Sequence, residues 1–188
     1  MSQTLEQGQE VAEWQDLVES GNAAYALKKF TEAELKFAAA LRIAEKWSSP
    51  ENLSAVDETT QREVQERLGK SLNNMAALYH TQGKYKMAED LYDRCLSLKI
   101  KLYGEDHLEV AINLHNLAAV HSAKRRWNMA EPLYLRSLEI RETVLGAEHA
   151  DLVPVLNNYA LMLKRANRDQ EALAIAKRAG AIAAKNSK

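Results

Sequence analysis

The chain has 188 residues, a formal net charge of −1, 46% hydrophobic and 27% charged residues. That balance fits a folded domain or a short array of repeats and excludes a disordered chain. The near-neutral charge gives no electrostatic footing for nucleic acid, whose partners are usually basic.

With only seven Gly and three Pro among many Ala and Leu, the chain is expected to be helical. The opening stretch MSQTLEQGQEVAEW is polar and acidic and lacks the apolar core of a secretory signal. No run approaches the ~18 apolar residues of a membrane span. Cys95 stands alone and cannot form an internal disulfide, so a reducing cytoplasm is the expected location.

Residues 1–13 are expected to form an N-terminal segment, flexible or helical, followed by a first helix pair over 14–47. Thr31 with Glu34 has the spacing of a capping box for that pair's second helix. Residues 48–68 form an irregular insertion, loop then helix. Ser48, Ser49, Pro50 and Asn52 are read as loop, and Asp57 to Leu68 as helix running into Gly69.

Three further units follow, over 69–106, 107–148 and 149–188. Leu72, Leu114 and Leu156 are 42 residues apart, as are Asn74, Asn116 and Asn158. Ala76, Ala118 and Ala160 keep that step, as do Ala88, Ala130 and Ala172. Within 108–124, Val110, Ala111, Leu114, Leu117, Ala118 and His121 mark one face at helical spacing, and Lys124–Arg126 end it. Asn128 is read as the next N-cap, with Pro132 in or near the first turn, where a missing N–H costs little. Ala130, Leu133, Tyr134, Ser137 and Leu138 form the buried stripe, and Gly146 stops the helix. Small residues at 76, 118, 160 and 88, 130, 172 allow close helix crossings, Tyr85 and Trp127 fill the spaces beside them, and Cys95 falls at a buried small position.

The first unit carries Gly21-Asn22-Ala23-Ala24-Tyr25, then Phe30, Ala33, Phe37, Ala40 and Leu41. These residues resemble the tetratricopeptide repeat. The 42-residue period exceeds that repeat's usual length of about 34 residues. Longer helices and the linkers LYGEDH and LGAEHA are similar to the kinesin light chain subfamily, over residues 69–172. The resemblance implies an all-α fold, a right-handed α-solenoid of about four tetratricopeptide helix pairs, whose first helices line a concave groove.

That face carries Val18, Asn22 and Tyr25 in the first unit and Lys70, Asn73, Asn74, Ala77 and His80 in the second. The third offers Ile112, His115, Asn116, Ala119 and Ser122, and the fourth Asn157, Asn158, Leu161, Lys164 and Arg165. An asparagine amide both donates and accepts, so it can pair with an extended peptide backbone without reading side chains. The resemblance assigns this role to Asn74, Asn116 and Asn158. Related domains that grip a terminal carboxylate need cations where Val18, Ile112 and Asn116 stand, so chaperone tails are not the expected ligand. Lys124, Arg125, Arg126, Lys164, Arg165 and Arg168 would draw an acidic residue on the partner.

No Gly-rich phosphate loop, paired cysteines or zinc-protease motif appears, and His80 with His115 lacks a third ligand. The expectation is a protein-binding scaffold or adaptor, not an enzyme, with no cofactor, metal or membrane insertion. The alternative is a structural subunit that assembles through its convex face or open terminal helices. The Ala-rich last helix, DQEALAIAKRAGAIAAKNS, makes self-association the corresponding expectation.

Overall fold

The computed structural model describes residues 2–187, with side chains from residue 8 onward. Among these residues there are nine helices and no strand. They are α1 (Ser2–Ala26), α2 (Phe30–Trp47), α3 (Pro50–Ser54), α4 (Glu58–Thr81), α5 (Tyr85–Tyr103), α6 (Leu108–Ala123), α7 (Trp127–Leu145), α8 (Leu152–Arg165) and α9 (Asp169–Asn186). They fall into two compact units, Met1–Leu98 and Lys99–Lys188.

In the first unit α1 and α2 run antiparallel. Trp47 donates its indole N–H to Glu10 at one end, and Gly21 meets Phe37 at the other, where an added Cβ would lie 2.5 Å from the ring. Helix α4 runs parallel to α1, fixed by Trp14 Nε1–H donating to Ser71 Oγ at 2.8 Å and by Tyr25 Oη bonded to Thr81 Oγ1 at 2.7 Å. Trp14, Val18, Ala40 and Ala44 form a buried core. Cys95 is wholly buried and donates its thiol to the Gly69 carbonyl, as a small packed residue should.

Asn52 does not lie in open loop: it belongs to α3, where its N–H is capped by Ser49 Oγ, with Pro50 supplying the preset first turn. Asp57 then caps α4 by accepting from the Thr60 N–H at 2.9 Å. The Thr31–Glu34 capping box does not form. Helix α2 already starts at Phe30 after an uncapped Lys29, and Glu34 reaches across to Gln82 and Lys84 instead.

In the second unit α6 and α7 form the next antiparallel pair, and Ser137 Oγ donates to the Ala111 carbonyl at 2.7 Å. Ala118, Ala130, Tyr134, Leu138, Leu156 and Tyr159 share one core with the residues of α8 and α9. Asn128 is not a cap: helix begins at Trp127, so Asn128 already lies inside. Pro132 consequently falls in the second turn, past the donors that lack helical partners, and removes a helical hydrogen bond. Gly146 ends α7 with φ of 94°. Asn113 is fully buried with neither end of its amide bonded, whereas the equivalent positions hold Ser71, bonded to Trp14, and Val155.

One turn is built four times. Lys28, Gly83, Arg125 and Asn167 all have positive φ, between 56° and 74°. In each, the following N–H reaches back five residues to a helix carbonyl, as in Lys84 to Tyr79 and Arg126 to His121. This is the left-handed helix stop that glycine favours, yet only one of the four is glycine. A second device recurs in the second unit. Lys99 is buried and bonds Glu109 at 2.7 Å, and Arg141, also buried, points toward the Asp151 carbonyl at 3.5 Å. Each cation ties the end of one helix to the start of the next.

Candidate protein-binding surface

In the first unit Val18 is not on the surface; at 2% exposure it is core, because α1 turns that side onto α2 and α4. Asn22 and Lys70 are exposed, and Tyr25, Asn73, Asn74 and His80 are half-buried. Lys70 Nζ lies 5.5 Å over the Trp14 ring. Tyr25 spends its hydroxyl on Thr81 and packs its ring against Phe30. The Asn74 amide nitrogen is buried and has no hydrogen-bond partner, so this asparagine presents its donor inward.

In the second unit the arrangement is tighter. Asn158 on α8 lies beside His115 on α6, Nδ2 to Nε2 at 2.7 Å. The His115 ring also packs on Tyr134, 5.9 Å between centroids. Burial, with the Arg141 charge adding to it, pulls His115 down to about 4. The ring is therefore neutral at pH 7, and its Nε2 accepts from the amide of Asn158, an exposed residue. Ile112 and Asn116 are half-buried, Asn157, Leu161, Lys164 and Arg165 exposed. Ser122 is buried and so is not a surface residue.

The expected cationic cluster is reduced by pairing. Arg168 bonds Glu131 at 2.6 Å and Glu171 at 2.6 Å, which pushes its own proton affinity up and holds both carboxyls below their ordinary range. Lys164 and Arg165 are exposed, about two turns further along α8 from Asn157 and Asn158.

His115 carries a pH prediction. Its folded pKa lies below the ~6.5 of an unfolded histidine, so the unfolded chain binds the extra proton more readily. The stability from neutral His115 is complete above about pH 6.5 and is lost as pH falls toward 4, with a slope of at most about 1.4 kcal/mol per pH unit. Burial shifts His80 the same way. The carboxyls held low by Arg168 lose their contribution only at more acid pH. Urea midpoints measured between pH 7 and 4.5 should fall less for His115→Asn than for the parent chain.

His107 and His149, which recur through the repeat, serve local backbone turns, His107 as the N-cap of α6 and His149 just before α8. Each accepts at Nδ1 from the N–H two residues on, Glu109 and Asp151. Sequence reasoning missed the Lys99–Glu109 and Arg141–Asp151 ties, although their paired recurrence 42 residues apart is a signal that could have found them. No group of metal-ligating side chains is assembled among the described residues. None of the described helices is long and apolar enough to cross a membrane.

Comparison with known proteins agrees with this architecture. The Podosopora anserina kinesin light chain structure with nearly identical TPR-like repeats superposes with a TM-score of 0.59 at 18% identity, over 93% of this chain and 96% of that one. A single-substitution form of that protein gives 0.60 at 18% identity, over 92% and 95%. At this identity the likeness establishes the fold, an all-α solenoid of stacked helix pairs. No curated protein matches the chain. The tetratricopeptide repeat model matches residues 67–143 and again 109–185, two registers offset by the same 42 residues. Together these matches span more than half of the chain, which therefore belongs to the tetratricopeptide repeat family, whose helix pairs generally mediate protein–protein interaction.

Proposed function

We propose that this protein is a scaffold or adaptor that binds an extended peptide segment along the polar faces of its first helices, α1 and α4 in one unit and α6 with α8 in the other. The observation that carries this reading is the His115–Asn158 pair, two polar side chains from successive first helices held 2.7 Å apart at the surface. The neutral imidazole orients the amide, and the Asn158 oxygen is left to accept from a peptide N–H. Asn74 supports the same reading differently. A buried donor without an acceptor costs roughly 1–3 kcal/mol, and a rotation that offers it to a partner's carbonyl relieves that cost. Exposed Lys164 and Arg165 favour a partner with an acidic residue near this site and would speed its association.

The test is a contact map. A photo-crosslinking residue placed at Asn157 or Asn22 should capture partner from a cell extract, and the same residue at the exposed Met129 or Val144 of α7 should not. Capture confined to the α7 positions would contradict the proposal.

A further inference from the structure

We draw no further inference here: the strongest candidate, the small apolar recess of the first unit between α1, α2 and α4, lined by Trp14, Trp47, Val64 and Arg67, carries nothing, because nothing in the structure shows what covers it.

Discussion

Truncating Tyr134 to alanine should cost about 3–5 kcal/mol, the largest loss expected from any single substitution considered for this chain. Tyr134 is 1% exposed and stands where three helices meet. Its ring contacts His115 on α6 and Tyr159 on α8. Removing it leaves a void that stiffly packed helices close only in part. The loss reaches the surface as well, because His115 would lose the ring that supports it beside Asn158. A thermal melt followed by far-ultraviolet circular dichroism should show the midpoint falling by several degrees or more, with Tyr134→Phe much milder. A melt indistinguishable from the parent would mean that the packing around α7 is assigned wrongly.

Adding bulk where helices cross should also be costly, by about 1–3 kcal/mol for Ala118→Leu. Ala118 is fully buried and shares the α6–α7 core with Ala130, also fully buried. The first pair makes the same demand more severely. Even Gly21→Ala would set a methyl 2.5 Å from the Phe37 ring, so that ring must leave its place or the helices must part. Chemical denaturation should show both variants weakened, and Gly21→Ala combined with Phe37→Leu should recover part of the loss. Full stability of either single variant would contradict the crossing geometry. In a stacked repeat each pair leans on its neighbours, so both losses lower the whole array's resistance to unfolding.

The features that the sequence made legible are those that packing repeats. Alanines at 76, 118 and 160 and at 88 and 130 are buried as their spacing implied, because a fixed period must return to the same crossing. Local ends were much harder to read. Lys124–Arg126 mark the end of the third unit's first helix, and α6 does stop there, but the left-handed turn shared by Lys28, Gly83, Arg125 and Asn167 was hidden, because only Gly83 is the residue such a turn favours. Thr31 and Glu34 had the letters of a capping box, but Glu34 gains more from Gln82 and Lys84 across the unit. Pro132 lies two residues deeper than the sequence suggests, because α7 starts at Trp127, after Arg126 and not after Asn128.

The candidate surface was legible as a set of helix positions and not as a set of contacts. Repeat arithmetic aligns Asn158 with Asn116, yet its partner is His115. Which residue of one helix meets which of the next depends on the axial shift of parallel helices, and period alone does not fix that shift. The orientation of Asn74 was equally hidden, since an amide rotates about its last torsion at little cost. The buried Lys99 and Arg141 carry no hydrophobic signal at all. They are recognised only when Glu109 and Asp151 are seen to recur beside them.

The claim at the centre is that polar side chains on the first helices hold the partner. Affinity capture with the parent chain and with Asn74→Ala/Asn116→Ala as paired baits, quantified by mass spectrometry at equal bait and equal salt, tests it most directly. The account predicts that the proteins captured by the parent fall by about 10-fold or more on the double variant, the loss expected from one or two hydrogen bonds. The same proteins recovered at the same yield, with the helix content of the two baits equal, would contradict it.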